Sequence, residues 1–503
     1  MTDLHSTYAK PFLIIPEQVR RLRERGMDCG DDAYAAQILE RYGYYRLSGY
    51  WHIYRDRPVP PARQFSDDGR EIRLDTFTCA CGTSLAHVVA LYEFDHELRT
   101  RVGDVLSMIE NAFRFFIGHR LGRVDKFAHR KPEALGAVHD GIVSTSTCKE
   151  WIKEYDRQEK RAKGDFIRHF REKYGPHLPI WVATEVMSFG VLSRLYRLMG
   201  QHDQEILAAR FQIHTKDGGG DYGALANWLN SLRQVRNICA HYGRVWNRTF
   251  DVTIQAPGRA QKSEEDLLAP LAVNTINNRF YGVLLVMRHL MLSIDPSNVD
   301  VVELADYVEK RTRELDLSIT QLGFPDDWKN NPIWGRTFTL SRSPMLAASL
   351  LDRTESLTAS KVPDVLTAAE PEVTSESLTP KQLKNAMDKA QKELLRTYRR
   401  HQVVIEIELG GTKFYPVFQF RDGKIIDALA DINQKLTRSC GDVGRTEVAK
   451  ALLDWWQTPH VSSLRGETVE YRSPLDLLHE RSEKDFEEII ENGNALSRFV
   501  APG

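Results

Sequence analysis

The chain has 503 residues, with 68 Lys and Arg against 69 Asp and Glu, 42% hydrophobic residues and 27% charged ones. That length fits roughly three units of about 150 residues, and the composition excludes wholesale disorder, collagen and coiled-coil fibre. A formal net charge of −1 excludes a uniformly basic nucleic-acid binder but leaves room for a local basic patch.

The opening, MTDLHSTYAKPF, has no basic-then-apolar run and reads as no signal peptide. From about residue 10 to 334 the pattern predicts helices. Pro16 suits a first helical turn, with Val19 and Leu22 following at helical spacing. Asp31 or Asp32 caps a second helix that runs to about Tyr42. A polar insertion over about 57–84 reads as a loop or short hairpin. Residues 85–121 form a long amphipathic helix, in which Val88, Leu91, Leu98, Val102, Val105, Ile109 and Phe116 recur at threes and fours. Residues 149–173, with nine basic and six acidic side chains, read as one exposed charged helix. Gly218-Gly219-Gly220 reads as a flexible joint before a helix over 222–246. A further helix spans 275–294. Its apolar stretch, 281–294, is interrupted by Arg288 and His289 and is too short to span a bilayer, so a buried helix and a cytoplasmic protein are expected.

After Trp334 the composition shifts. Residues 335–379 are rich in Ser, Thr, Ala and Pro and read as a flexible linker, with a short helix near 345–351. From 380 the pattern predicts a helix to about 401, a strand over 403–409, a Gly410-Gly411 hairpin turn and a returning strand over 413–420. A turn at 421–424 precedes helices and turns over 425–499. There is no internal repeat. The expected fold is mainly α: a helical bundle over 10–334, the linker over 335–379, and a small α+β domain over 380–503.

The six cysteines (Cys29, Cys79, Cys81, Cys148, Cys239 and Cys440) are too scattered for a disulfide framework. Cys79-x-Cys81 lacks the second pair that a zinc site needs, so no metal site is assigned.

Arg236-Asn237-Ile238-Cys239-Ala240-His241 falls in the 222–246 helix. At about 100° per residue, Arg233, Asn237, His241, Arg244 and Arg248 share a polar stripe about 80° wide, opposite Leu232, Val235, Cys239 and Tyr242. Arg236 sits about 140° from His241. On one straight helix the two are not neighbours; they converge only at a helix end, across a kink or across an interface. Residues 227–248 hold four Arg, one His and no acid, which suits either a phosphate footprint or a solvated face with one Arg paired to a carboxylate. A second basic stretch, 114–131, has six Lys and Arg against one Asp and carries Arg114 and His119, again five apart. Upstream, Glu110 is an i,i+4 partner of Arg114 and could also reach Arg236 and hold it.

These residues carry a resemblance. GYYRLSGYW (43–51), LYEFDHELR (91–99), SFGVLSRLY (188–196), VRNICAH (235–241) and RVWNR (244–248) resemble, in order, the Abi-like (AbiD/AbiF) abortive-infection family, and GFPDDW (323–328) resembles its closing segment. The likeness covers about residues 10–334. That family is placed in the HEPN superfamily of helical domains, whose signature is an Arg followed four to six residues later by His. Arg236-x4-His241 fits, with polar Asn237 directly after the Arg, and Glu110-x3-Arg114 resembles the acidic-then-basic motif on an earlier helix. Some members carry a Tyr two residues after the His as a target for AMP addition. Here that position is Gly243 and the Tyr is Tyr242, so modification is not expected.

The resemblance implies a HEPN-like bundle and a metal-independent endoribonuclease without cofactor, its site composed across a homodimer. RNA carries its own nucleophile, the 2′-OH. A histidine can take or supply the proton, here His241. Arg236 would offer a fork of donors to the phosphoryl oxygens. The products would be a 2′,3′-cyclic phosphate and a 5′-OH. Asn237 would orient His241 or the phosphate, Glu110, Arg114 and His119 would support the site, and Arg233, Arg244 and Arg248 would hold RNA. The aromatic 44–51 segment either stacks bases or is core.

In the C-terminal unit, FYPVFQF (414–420), LDWWQTPH (453–460), Gly466 and RSPLDLL (472–478) resemble the toxin-binding domain of the Xre/MbcA/ParS antitoxins. That implies contact with a protein: restraint of the Abi-like domain in cis, or capture of a phage component or toxin, made easy by a tether. The alternative is a small α+β appendage whose aromatics are core. Two further readings of the whole chain stay open: a non-catalytic protein that holds a non-coding RNA, and an antitoxin-like regulator.

Overall fold

The computed structural model describes residues 11–57, 74–77, 84–139, 141–263, 265–340, 356–358, 362, 366, 380–409, 412–438, 444–457, 461–465 and 468–475. The fold is mainly α with a few strands toward the C-terminus. Most of the 57–84 insertion, Cys79, Cys81, Cys440, Gly410, Gly411, Gly466 and the short helix expected near 345–351 lie outside the described residues.

Helix α1 (Ile15–Glu24) carries Pro16 in its first turn, and α2 (Asp32–Tyr42) is capped by the Asp31 carboxylate, which accepts the Tyr34 N–H at 2.7 Å. After α3 (Tyr44–Trp51) comes the 40-residue α4 (Leu85–Val124), started by the Ser84 hydroxyl, which accepts the His87 N–H at 3.1 Å. Val88, Leu91, Leu98, Val102, Val105 and Ile109 of its apolar stripe are buried, and Phe116 partly so, because α3 and the later helices of the large unit pack round it. The charged stretch expected as one helix is two, α6 (Thr145–Arg161) and α7 (Asp165–Tyr174), broken near Gly164. It is not simply solvated: Cys148, Trp151 and Tyr155 bury one face of α6, and α5 (Gly136–His139) precedes it.

Helices α8 (Ile180–Ala183), α9 (Phe189–Leu198) and α10 (Gln201–Arg210) lead to α11 (Tyr222–Ala240). The glycine run before α11 is no loose joint. A Cβ on Gly220 would lie 1.9 Å from the Glu205 carbonyl oxygen, and the Asp221 N–H bonds to Ile213 O at 2.8 Å. Glycine is there because two backbones touch.

Helix α12 (Phe280–Ile294) starts five residues later than its pattern suggested and is buried from Phe280 to Ser293. Backbone carbonyls take up the two residues that interrupt its apolar run: Arg288 donates to those of Ile333, Asn298 and Gly335, and His289 Nε2 bonds to Phe211 O at 2.6 Å while its Nδ1 is buried without a partner. Helix α13 (Asp300–Glu314) closes the large core, which extends to Leu340. Among the described residues no helix is long and apolar enough to cross a membrane.

The C-terminal unit holds α14 (Pro380–Arg400), α15 (Asp427–Arg438) and α16 (Arg445–Gln457). Its antiparallel sheet runs β1–β3–β2, with β1 (Ser356–Thr358), β2 (Ile407–Leu409) and β3 (Thr412–Pro416). The segment read as linker thus supplies a strand, and Val362 and Leu366 are buried in the same core. The returning strand breaks after Pro416 into a 3-10 turn, followed by β4 (Phe420–Arg421) and β5 (Lys424–Ile425). A hairpin of β6 (Val461–Arg465) and β7 (Thr468–Arg472) stands where helix and turn were expected. The Gln419 amide accepts the Ile405 N–H and donates to its carbonyl, and Trp456 Nε1 bonds to Asn433 at 2.9 Å. Of the side chains that carried the antitoxin resemblance in 414–420 and 453–460, Phe414, Tyr415, Gln419, Leu453, Trp455 and Trp456 are buried. The core of this unit takes in Ile206 and Ala209 of α10, and the Phe414 ring lies 5.2 Å from His202.

Candidate functional site

Asp221 caps α11 through the Ala224 N–H at 2.9 Å, and Leu225, Trp228, Leu229, Leu232 and Val235 bury one face of the helix. The helix ends at Ala240, six residues before the expected end. The Tyr242 N–H bonds to Cys239 O at 3.1 Å and the Gly243 N–H to Ile238 O at 2.8 Å, the paired bonds of a Schellman cap. Tyr242 takes the left-handed conformation, φ 56°, that glycine usually fills. Glycine falls one place later, where a Cβ would sit 3.0 Å from the Ile238 side chain. His241 is therefore the C-cap of the helix, exposed, and Arg244 and Arg248 leave the helical stripe on which spacing had placed them.

Arg236 is 45% exposed, and its Nε lies 3.8 Å from Oε2 of the buried Glu110. Glu110 also accepts Arg114 Nη2 at 2.6 Å. Arg114 also donates, through Nη1 and Nη2, to the carbonyls of Glu185 and Met187, at 2.6 and 2.9 Å. Arg114 is thus a brace for α4 and the turn after α8, while Glu110 is shared between two guanidinium groups. Both Glu110 and Arg236 line a cleft of about 380 Å³, together with His96, Arg99, Asp104 and Tyr242. His241 is not in that lining, and its ring makes no hydrogen bond or ion pair among the described residues. Arg236 and His241 stand on one helix end without touching.

What fixes the chain beyond His241 is Asp95, fully buried on α4. Its Oδ1 accepts the backbone N–H groups of Val245 at 3.0 Å and Trp246 at 2.6 Å, and its Oδ2 accepts the Tyr50 hydroxyl at 2.6 Å and Arg99. Burial pushes the Asp95 carboxyl up from its ordinary range, opposed by Arg99 and these donors. Burial, and then the Asp95 charge, pushes the Tyr50 phenol up. Arg244 donates to Gly49 O and so ties the same segment to α3. Cys239 is pushed up to about 12, mainly by burial and then by Asp95, so it stays a thiol and not a nucleophile.

The other predicted residues are dispersed. Arg233 bonds to Asn230 at 2.9 and 3.1 Å, against Gly190 of α9. Asn237 is half-buried, and its carbonyl accepts the His241 N–H at 3.0 Å. His119 is exposed, stacked on Phe115 at 5.5 Å, about 13 Å along α4 from Glu110, and is no part of the cleft. Arg244 and Arg248 line a second cleft with Arg46. In the 44–51 segment Leu47, Tyr50 and Trp51 are core, while Arg46 points out. Asp95 and Arg99 had been given no role by sequence. The signal was there: position 95 falls on the apolar register 91, 95, 98, 102 of α4, so an acid there is buried and needs a partner. Among the described residues no group of three His, Cys, Asp or Glu could hold a metal ion.

No curated protein and no solved structure matches the chain. Residues 37–247 match the family model described as Abi-like protein. The matched stretch contains Asp95, Glu110, Arg236, His241 and Arg244. The match covers 211 of the 503 residues and shows a likeness to Abi-like proteins over that stretch.

Proposed function

We propose that this protein is a metal-independent endoribonuclease of anti-phage abortive infection, acting in the cytoplasm with Arg236 and His241 as its catalytic pair. The observation that carries the reading is the exposed end of α11, where Arg236 stands beside the buried Glu110 and the His241 ring is free of other partners. Glu110 steers the Arg236 guanidinium while leaving it open to solvent. Arg236 then holds the phosphoryl oxygens as charge builds on them, and His241 moves the proton of the 2′-OH or of the leaving 5′-oxygen. Asn237, beside Arg236, orients the phosphate. The two catalytic side chains do not meet within one chain, so the reading includes a homodimer in which α11 ends from two copies face one RNA.

The test is expression of wild type, Arg236→Ala and His241→Ala in one host, scored for growth arrest and for RNA ends. Wild type is expected to arrest growth and to leave 2′,3′-cyclic phosphate ends, with cutting undiminished by EDTA. Either substitution should lower cleavage by roughly 100-fold or more. A wild type that cuts no RNA, with or without phage, overturns the enzyme reading. The second reading, a protein that holds a non-coding RNA without cutting it, is favoured by the separation of Arg236 from His241. In that case one intact RNA species would copurify with the protein.

A further inference from the structure

We propose that the cleft between α3 and the segment after α11 is a phosphate subsite for single-stranded RNA, with Tyr242 as a stacking platform at its edge. The proposal rests on the RNA part of the reading above but not on cleavage.

The cleft holds about 540 Å³ and is lined by Arg46, His52, Tyr242, Arg244 and Arg248, with no acidic side chain among the described residues. Arg46, Arg244 and Arg248 form no ion pair among the described residues. Asp95, the carboxylate whose charge acts on Arg244, is fully buried and already accepts four donors, two backbone N–H groups, Tyr50 and Arg99. Burial and the neighbouring Arg248 both disfavour the charge on Arg244, with Asp95 and Tyr50 opposing. Arg248 keeps a buried Nε without a partner. Three guanidinium groups that share a cleft and make no ion pair among the described residues favour the entry of an anion, and a nucleic-acid backbone supplies such anions at regular intervals.

Tyr242 gives the site its direction. It lines both this cleft and the one that contains Arg236 and Glu110, so it stands on the wall between them. Its ring is 64% exposed, although its backbone is held in a conformation that disfavours any side chain. A large aromatic kept out of the core at a position better suited to glycine is explained if the ring faces a ligand. A strand with one phosphate at Arg236 and a neighbouring phosphate among Arg46, Arg244 and Arg248 passes over Tyr242, where a base would stack.

The experiment measures binding of the full chain to a short oligouridine with 2′-O-methyl sugars, which cannot be cleaved, across a range of salt. Arg46→Ala, on an exposed position of α3, and Arg248→Gln should each weaken binding and flatten the slope of log K against log salt by about 0.7. Tyr242→Gly should weaken binding about 10-fold with the slope unchanged, while melting no lower than wild type, and Tyr242→Phe should bind like wild type. Arg244 is left alone because it also holds Gly49. Unchanged affinity and slope in the Arg variants, or a wild type that does not bind the oligonucleotide, overturns the subsite. If the slopes fall as expected but wild type cuts no RNA, the subsite stands and the ribonuclease reading falls. If wild type cuts RNA while the variants bind as it does, the reverse holds.

Discussion

Asp95 is the residue on which the geometry of the α11 end depends most. One carboxylate satisfies two backbone amides, a phenol and a guanidinium, all in the interior. Asp95→Ala leaves those donors unpaired and is expected to cost about 3–5 kcal/mol, read as a shift in the denaturation midpoint. Asp95→Asn keeps one carbonyl acceptor but turns an amide toward donors, and should fall between. Glu110 is a milder case. Glu110→Ala frees Arg236 from its guide, but Arg114 keeps the two backbone carbonyls, so the fold should hold. Cleavage is expected to drop about 10-fold while RNA binding is kept; unchanged cleavage would discard the guiding role. Sequence spacing had suggested that Glu110 reaches Arg236, because i,i+4 geometry gives Glu110 one partner and leaves a second carboxylate oxygen for another. It marks Asp95 as an acid on an apolar register but does not name Val245 and Trp246 as its partners, because those donors are backbone amides, which every residue but proline carries.

At the scale of elements, the helices of the large unit were legible because their apolar residues recur with helical period and their caps are Asp31, Ser84 and Asp221. The end of α11 was not. Val245 and Trp246 continue the apolar period, so the pattern reads on to 246. They are buried by the Asp95 bonds, not by helix. The stop lies in Tyr242, whose left-handed backbone no propensity favours, and the glycine that marks the end is displaced by one position. Gly243→Ala should therefore cost about 1–2 kcal/mol, since the new methyl meets Ile238. Tyr242→Gly should raise stability by about 0.5–1 kcal/mol in the same denaturant titration. The β6–β7 hairpin was missed for another reason. Its strands hold only three β-branched residues, Val461, Thr468 and Val469, two of them adjacent, so composition and alternation give no strand signal there.

For the whole molecule, the two cores meet on α10, where Ile206 and Ala209 belong to the C-terminal cluster. Arg236 remains exposed with that unit in place, so docking on α10 does not itself cover the α11 end. Global stability also carries a pH signature. Burial pushes His289 down to about 4 and His129 down to about 3, the latter helped by Arg130. Both are neutral in the fold and charge more readily when unfolded, where histidine titrates near 6.5. Unfolded chains thus bind more protons below that value, and stability present above it is lost as pH falls toward 3. His289 alone contributes on the order of 3 kcal/mol. Melting temperatures should fall steadily below pH 6.5, and His289→Gln should flatten that dependence.

The bonds between Asp95 and the amides of Val245 and Trp246 join positions 150 and 151 residues apart. On a ribosome adding roughly 5–20 residues per second, Asp95 emerges on the order of 10 s before its partners exist. Until then the chain that carries His241 has no anchor on α4. A growth-arresting activity set at that anchor would be silent in nascent and prematurely terminated chains, and the cell making the protein would meet only the finished fold.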